Sequence, residues 1–207
     1  MTQPSIRANT ILDCQGLACP MPIVRTKKAV ESLIPGEVIE VQATDRGSLA
    51  DIQSWAKKTG HHYLGTVEEG GGGMLKHFIR KAASSEEKQD LSYPHTTTAD
   101  QLQKLQADAT TKLVVLDVRE PAEYAFEHIP GAVSIPLGEL EHRMNQELDR
   151  NTAIHVVCRS GNRSDMACQL LSEAGFSKVH NVISGMSGWT GAVEGIRAKE
   201  GGRANHE

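Results

Sequence analysis

One cysteine stands where an apolar strand pattern gives way to a short polar loop and then to a helical pattern. Cys158 follows the apolar run Ile154–Val157 and precedes the loop Arg159–Arg163, behind which a helix is predicted from Ser164 onward. A strand–loop–helix turn points backbone N–H groups at the centre of its loop, and the helix N-terminus adds positive partial charge there. These surroundings favour a thiolate, so Cys158 is predicted to be a nucleophile. The alternative is a structural cysteine buried at the end of a strand.

The residues of the loop also carry a family resemblance. The run Cys158–Ser164 reads Cys-Arg-Ser-Gly-Asn-Arg-Ser and resembles the active loop of rhodaneses, the sulfurtransferases that carry sulfur as a cysteine persulfide. The match covers about Thr96 to Val193, with further landmarks at Leu116–Arg119, Glu123–Tyr124, His128–Ala132, Ile135–Pro136 and Gly185–Trp189. The resemblance implies a rhodanese domain in which Cys158 carries the sulfur.

Loop length separates sulfur transfer from a related chemistry. One family of protein phosphatases has the same fold and a cysteine nucleophile, and an arginine six positions after that cysteine clamps the phosphate. The sixth position here is Ser164, and Arg163 stands one residue earlier. The smaller pocket suits one added sulfur atom, so we favour sulfur transfer over phosphatase or arsenate-reductase activity, partly on the resemblance.

The expected mechanism begins with attack of the Cys158 thiolate on the outer sulfur of thiosulfate or of a low-molecular-weight persulfide. The sulfur stays on Cys158, where loop N–H groups hold its negative charge as they would hold an oxyanion. Arg159 and Arg163 are expected to attract the anionic donor. The predicted substrate-binding residues are Arg159, Ser160, Gly161, Asn162, Arg163 and Ser164. Asp117 and Arg119 are expected to brace the loop, and Cys168 is expected to be structural.

A second cysteine stands just before another predicted helix. Cys19 opens the run Cys19–Pro22, whose two prolines suit the first turn of a helix. The apolar face of this helix is predicted at Ile23, Val24, Val30 and Leu33. The free N–H groups of a helix start favour a thiolate at Cys19. The alternative is that Cys19 packs beneath the helix.

The residues around Cys19 carry a second resemblance. The segments Leu12–Pro22, Pro35–Glu37 and Asp45 resemble the TusA/SirA-like family of sulfur-relay proteins, in which the cysteine of a Cys-Pro-x-Pro motif accepts persulfide sulfur. The resemblance places that role on Cys19. Cys14 lies at a strand end, where packing in the core and a role in resolving a persulfide both stay open.

Periodicity predicts an N-terminal domain of order β-α-β-α-β-β, which is a two-layer α/β sandwich. Strands are expected at Thr10–Asp13, Glu37–Ala43, His61–Val67 and Met74–Arg80, and the second helix from an N-cap at Ser48 to about Gly60. His61 and His62 are expected on a solvated strand surface. The run Gly70–Gly73 lacks the Lys-Ser/Thr pair and the following helix of a phosphate-binding loop, so we predict a flexible hairpin connection.

The C-terminal half alternates strands and helices. Thr98 and Gln101 predict a capping box that opens a helix. The order of elements predicts a doubly wound domain with a parallel sheet, whose site lies at the carboxyl end of a strand. The further elements are expected at Leu113–Leu116, Val133–Ile135, Glu139–Leu148, Ile154–Val157 and Val179–Val182. The predicted domains span 1–81 and 96–207, joined by a polar linker over 82–95.

Bulk composition limits the class of protein. The chain has 207 residues, of which 39% are hydrophobic, and its net charge of -4 gives no general attraction to nucleic acid or anionic membranes. No apolar run approaches the ~20 residues that span a bilayer, and Met1–Asn9 lacks the apolar core of a signal peptide. We therefore expect a cytoplasmic protein with thiols rather than disulfides. The chain has neither a C-x-x-C pair nor zinc-ligand spacing, so no metal and no cofactor is predicted.

The two resemblances predict a persulfide sulfurtransferase that takes sulfur at Cys158 and relays it to or from Cys19. The expected partners are a small-molecule sulfur donor and a downstream protein acceptor, with no nucleic acid and no membrane. Two alternatives stay open: a docking or regulatory N-terminal domain without a persulfide, and a redox sensor in which Cys14 and Cys19 form a disulfide. The sequence does not specify the donor, the acceptor, the direction of transfer or the oligomeric state, a dimer included.

Overall fold

Two separate sheets organise the chain. The computed structural model describes residues 6–69, 73–83, 92–108 and 110–196. The chain divides into two compact units, Met1–Ser85 and Glu86–Glu207, each with its own sheet and its own core. None of the helices within the described ranges is long and apolar enough to cross a membrane.

The first unit has the predicted order of elements. They are β1 (Thr10–Cys14), α1 (Met21–Ser32), β2 (Val38–Ala43), α2 (Ser48–Lys58), β3 (His62–Glu69) and β4 (Met74–Arg80). The strands lie in the order β1-β2-β4-β3. β1 and β2 are parallel, as a crossover through α1 requires, whereas β4 is antiparallel to both of its neighbours. The predicted two-layer α/β fold is confirmed.

The core of the first unit lies between one face of the sheet and the two helices. It contains Cys14, Val30, Leu33, Ile39, Val41, Ile52, Ala56 and Ile79. Helix α1 buries Pro22, Thr26 and Val30, which are spaced four residues apart and lie on one side of the helix. Val24 was predicted on that face, but its side chain is 54% exposed. That prediction was wrong because the buried stripe includes a proline and a threonine, which an apolar pattern overlooks.

Polar groups of the first unit also depart from expectation. Ser48 is the first residue of α2, and Gly47 takes the N-cap position predicted for Ser48. The Ser48 hydroxyl donates to the carbonyl of Asp45 and lies 3.0 Å from Nε2 of the fully buried His77. His62, predicted as solvated surface, is buried beside Arg80, so that prediction was wrong. The predicted flexible connection at 70–73 falls largely on residues 70–72, which lie outside the described residues.

The second unit is built on a parallel sheet. Its strands are β5 (Thr96–Thr97), β6 (Leu113–Asp117), β7 (Val133–Ser134), β8 (Ala153–Val157) and β9 (Val179–Val182), in the order β5-β9-β8-β6-β7. Its helices are α3 (Ala99–Ala107), α4 (Pro121–Phe126), α5 (Leu140–Glu147) and α6 (Asn162–Glu173). Each paired strand runs parallel to its neighbours. The predicted parallel doubly wound domain is confirmed.

Helices cover both faces of this sheet. Leu140 of α5 and Leu171 of α6 pack with Ile154 and Val156 of β8 in one core cluster. Leu102 of α3 packs with residues of the opposite face in a second cluster. The predicted capping box of α3 is present, since Thr98 and Gln101 exchange side-chain to backbone hydrogen bonds.

The segment predicted as a linker ends in contacts with the second unit. The backbone N–H of Tyr93 donates to Oδ1 of Asp165 at 3.0 Å, and the Ser92 hydroxyl donates to Oδ2 at 3.3 Å. Asp165 is buried in the first turn of α6. The carboxylate of Asp165 therefore ties the chain before β5 to the helix that follows the Cys158 loop.

Candidate active site

The backbone around Cys158 is fixed from two sides. Cys158 follows the last residue of β8, is 1% exposed, and precedes a tight turn into α6. The N–H of Met186 donates to the carbonyl of Cys158 at 2.8 Å, and the N–H of Ser187 donates to the carbonyl of Arg159 at 2.9 Å. Both donors belong to the 3-10 turn Gly185–Gly188 after β9. The loop is therefore held by the next strand connection as well as by its own helix.

Two polar groups lie within hydrogen-bond distance of the sulfur of Cys158, and the Gly161 N–H is the one that donates to it. The backbone N–H of Gly161 lies 3.1 Å from Cys158 Sγ, and the hydroxyl of Ser164 lies 3.4 Å from it. Gly161 has a φ of 107°, a left-handed conformation that suits glycine and aims its N–H back at the sulfur. Donors placed this way stabilise negative charge on the sulfur and cost no reorganisation when that charge appears.

Asn181 supports the site and was missed from the sequence. Its Oδ1 accepts from the Ser164 hydroxyl at 2.7 Å, and its Nδ2 donates to the carbonyl of Gly161 at 3.2 Å. Asn181 is fully buried in the middle of β9. A buried amide inside an apolar parallel strand must find partners, and this one finds them in the loop. The signal available in the sequence was an amide residue next to His180 within the strand Val179–Val182.

Arg163 does not extend along the loop surface. Its Nη1 lies 2.8 Å from Oε2 of Glu123 and its Nη2 lies 3.0 Å from Oε1, and both residues are buried. This bidentate pair joins α6 to α4, so the Arg163 charge is largely committed to Glu123. Arg159, in contrast, has an exposed side chain next to Cys158. Of the two predicted donor-binding arginines, Arg159 is the exposed one.

A second buried ion pair lies at the end of β6. Arg119 Nε and Nη2 both donate to the Asp117 carboxylate, with Nη2 at 2.6 Å from Oδ2. Nη2 of Arg119 also donates to the carbonyl of Glu127. The N–H of Val118 donates to Val157, the last residue of β8. These contacts lie at the strand end beside the Cys158 loop, and the bracing role of Asp117 and Arg119 stays a prediction.

The remaining cysteine of this unit lies inside the core. Cys168 on α6 is fully buried in the cluster that includes Leu171 and Phe176. Burial raises the pKa of the Cys168 thiol far above its ordinary range, and the nearby Asp165 carboxylate adds to the effect. The core position of Cys168 disfavours a thiolate and agrees with the structural role predicted for it.

Cys19 meets a carboxylate rather than a ring of N–H donors. Its exposed Sγ donates to Oδ2 of Asp51, on α2, at 3.2 Å. This hydrogen bond raises the pKa of the Cys19 thiol, and the negative charges of Asp51 and Asp45 act in the same direction. The structure differs from the thiolate-favouring environment predicted at the start of α1, in that the hydrogen-bond partner of the Cys19 sulfur is a carboxylate. Sequence spacing gave no signal for this contact between residues on different helices.

Cys14 is part of the core of the first unit. It is fully buried at the end of β1, and burial raises the pKa of its thiol. Cys14 and Cys19 are both free thiols, one in the core and the other at the surface. The packing role left open for Cys14 is therefore the one that its environment favours.

The described residues offer little to a metal ion. No group of three or more His, Cys, Asp or Glu side chains in the described ranges is arranged to hold one.

Comparison with known families assigns both units. The family model described as "Sulfurtransferase TusA" matches residues 10–81, and the model described as "Rhodanese-like domain" matches residues 98–192. YrkF, a candidate sulfur carrier protein of Bacillus subtilis (strain 168), is 49% identical over 189 residues, which cover 91% of this chain and 100% of YrkF. The chain belongs to this family of TusA–rhodanese fusion proteins.

Each domain of the fusion also has relatives of its own. The TusA domain is similar to the sulfur carrier protein TusA of Allochromatium vinosum, with 47% identity over 29% of this chain and 79% of that protein. The rhodanese domain is similar to the thiosulfate sulfurtransferase PspE of Escherichia coli (strain K12), with 40% identity over 32% of this chain and 64% of PspE. The TusA–rhodanese fusion is a sulfur-transfer protein, and its second domain is of the sulfurtransferase type.

Proposed function

We propose that the chain is a persulfide sulfurtransferase in which Cys158 takes sulfane sulfur from thiosulfate or a low-molecular-weight persulfide and exchanges it with Cys19. The observation that carries the proposal is the N–H of Gly161 at 3.1 Å from Cys158 Sγ, in a loop that the neighbouring elements fix. A donor at this place stabilises a thiolate before the reaction and an anionic persulfide after it.

The first step moves one sulfur atom. The Cys158 thiolate attacks the outer sulfur of thiosulfate, a new S–S bond forms, and the old S–S bond breaks with its electron pair leaving on sulfite. The exposed Arg159 is proposed to attract the anionic donor. The role proposed for Arg163 is different, because its guanidinium is paired with Glu123 and keeps the loop in shape.

The second step passes sulfur between the two cysteines of one chain. Covalent linkage replaces a bimolecular encounter by an intramolecular one, with an effective concentration on the order of millimolar for short flexible linkers. The exposed position of Cys19 supports its role as the partner that meets other proteins, whereas Cys158 is buried. The final acceptor is proposed to be a thiol on a separate protein.

Peptide mass spectrometry after loading tests the proposal. The full chain is treated with thiosulfate, quenched with an alkylating agent and digested, and the mass of one added sulfur is sought on the Cys158 and Cys19 peptides. The expected result is sulfur on both peptides, none on either in Cys158→Ser, and sulfur on Cys158 alone in Cys19→Ser. Absence of sulfur from Cys19 at every concentration, with Cys158 fully loaded, would contradict the relay.

A second candidate function rests on the Asp51–Cys19 contact. Because the carboxylate raises the pKa of the Cys19 thiol, Cys19 is a weak nucleophile at rest, and the first domain would then dock or regulate without carrying sulfur. The loading experiment separates this candidate from the relay. A peptide that links Cys14 to Cys19 by a disulfide would instead support the redox sensor.

A further inference from the structure

The two proposed sulfur carriers have opposite electrostatic surroundings. At Cys158 the nearest polar partner of the sulfur is an N–H group, that of Gly161, at 3.1 Å. At Cys19 the partner is a carboxylate oxygen, Oδ2 of Asp51, at 3.2 Å. An N–H group stabilises an anion on sulfur, whereas a carboxylate stabilises the protonated thiol and repels an anion. A persulfide is a stronger acid than a thiol and is anionic at neutral pH, so the difference applies directly to the loaded states.

We propose that Asp51 destabilises the persulfide on Cys19, so that sulfur is stored on Cys158 and Cys19 is the position from which it leaves. This inference rests on the proposed function, in that it takes both cysteines as carriers. Asp51 contacts the reacting sulfur and is assigned here as the residue that sets its transfer potential. Its place in the first turn of α2, half-buried beside an exposed cysteine, keeps the carboxylate directed at Cys19.

The exchange reaction shows why the carboxylate matters. The Cys19 sulfur bonds to the terminal sulfur of the Cys158 persulfide, the S–S bond at Cys158 breaks, and its electron pair stays on the Cys158 sulfur. The proton of the Cys19 thiol is released to solvent, so Cys158 returns as the thiolate that the Gly161 N–H stabilises. In this direction Cys19 loses the hydrogen bond to Asp51 and gains a negative charge facing it. Transfer of the sulfur onward to an acceptor thiol restores the hydrogen bond and removes the negative charge. Asp51 therefore favours unloading of Cys19.

A second carboxylate also disfavours the persulfide on Cys19, which adds to the bias of sulfur towards Cys158. The charge of Asp45 adds to that of Asp51 in opposing an anion at Cys19, and both charges raise the pKa of the thiol after the Asp51 hydrogen bond and burial. The site is exposed, so salt screens these charges more than it would in a buried pair. The bias is therefore expected to be modest in size and to weaken at high ionic strength.

The test is an equilibrium measurement on the full chain. Thiosulfate is added below one equivalent, exchange is allowed to finish, and the ratio of sulfur on the Cys19 and Cys158 peptides is measured. Asp51→Asn is expected to raise the Cys19 share several-fold, whereas Asp51→Glu, which keeps the charge, should stay near the wild type. Glu31→Gln is the matched control, because it removes one exposed carboxylate at the far end of α1.

A salt series on the wild type and on Asp51→Asn tests whether the effect of Asp51 is electrostatic. Raising the salt concentration is expected to raise the Cys19 share in the wild type and to change it little in Asp51→Asn. A purely structural role for Asp51 would not respond to salt in this way.

A separate arm does not require the relay. In Cys158→Ser, Cys19 is equilibrated with fixed ratios of glutathione persulfide to glutathione, and its loaded fraction is measured. At a given ratio, adding Asp51→Asn should raise the loaded-to-unloaded quotient several-fold, and adding Glu31→Gln should not. Equal loading with and without the Asp51 carboxylate overturns the inference even if the relay operates. A higher quotient for Cys19 in Asp51→Asn, with no sulfur exchange between the two cysteines of the full chain, supports the inference about Asp51 and contradicts the relay.

Discussion

Arg159 and Arg163 flank one loop but have different surroundings. Arg163→Ala removes the guanidinium from a buried ion pair with Glu123, which is expected to lower the free energy of unfolding by up to about 3–5 kcal/mol. Arg159→Ala removes an exposed charge, so the fold should persist while KM for thiosulfate rises by up to roughly fivefold, equivalent to about 1 kcal/mol. Urea unfolding and steady-state kinetics on both variants check the contrast. Equal stability of Arg163→Ala and the wild type would count against a buried pair.

Cys158 is the residue on which thiosulfate turnover is expected to depend. A serine hydroxyl at this position is far less nucleophilic than a thiolate, so Cys158→Ser should abolish thiocyanate formation from thiosulfate and cyanide. Cys168→Ser is the comparison, because Cys168 lies in the core of the same unit and is assigned no chemical role. Undiminished turnover in Cys158→Ser would end the assignment of Cys158 as the nucleophile.

The sequence located both cysteines but not their partners. Cys158 and Cys19 each precede a predicted helix, and this local pattern is visible in a single stretch of chain. Asp51 lies 32 residues from Cys19, and Glu123 lies 40 residues from Arg163. Such pairs depend on how distant elements pack, which a local pattern does not encode. For this reason the carboxylate beside Cys19 was not predicted.

At the scale of elements, the turn after β9 supports the Cys158 loop. Gly185 has a φ of 47°, and a Cβ at this position would meet the carbonyl of Cys158 and lie 2.8 Å from the carbonyl carbon of Arg159. Gly185→Ala is therefore expected to push the loop away from the turn and to lower kcat for thiosulfate roughly ten- to hundredfold. Gly138→Ala is the matched control, since a Cβ there meets nothing within 4 Å. Similar kcat values for the two variants would contradict the support role.

The strands were predicted more accurately than the details of the helices. A continuous apolar run such as Leu113–Leu116 identifies a strand covered on both faces, and β6 extends it by one residue. The start of α2 was misplaced because Ser48 resembles a cap, whereas its hydroxyl bonds the carbonyl of Asp45 and contacts His77. Capping depends on backbone angles at one residue, so residue type alone left that boundary uncertain by one position.

At the scale of the whole molecule, each unit buries a neutral histidine. Burial lowers the pKa of His77 from 6.5 to about 4, and burial followed by the neighbouring His180 lowers the pKa of His155 to about 4. Unfolding restores ordinary values, so between about pH 6.5 and pH 4 the unfolded chain binds more protons than the folded one. The free energy of unfolding therefore has its full value above pH 6.5. As the pH falls towards 4, it decreases by up to about 3 kcal/mol per histidine.

Unfolding by urea as a function of pH measures this loss. The wild type should lose stability in both units between pH 7 and pH 4.5, and His155→Gln should flatten the dependence of the second unit. His142→Gln is the control, because His142 is exposed on α5. A pH dependence that stays the same in His155→Gln and in His142→Gln would exclude His155 as the titrating group.

The outer strands of the two sheets bear on how the protein behaves at high concentration. β5 and β7, the edges of the parallel sheet, are two residues long each, which leaves few backbone groups for another chain to pair with. β3, one edge of the other sheet, has a register shift between Tyr63 and Gly65 and ends in Glu68 and Glu69. Short, irregular or charged edges oppose strand addition. At these three edges, the chain can therefore meet sulfur donors and acceptors at high concentration without adding further strands to its sheets.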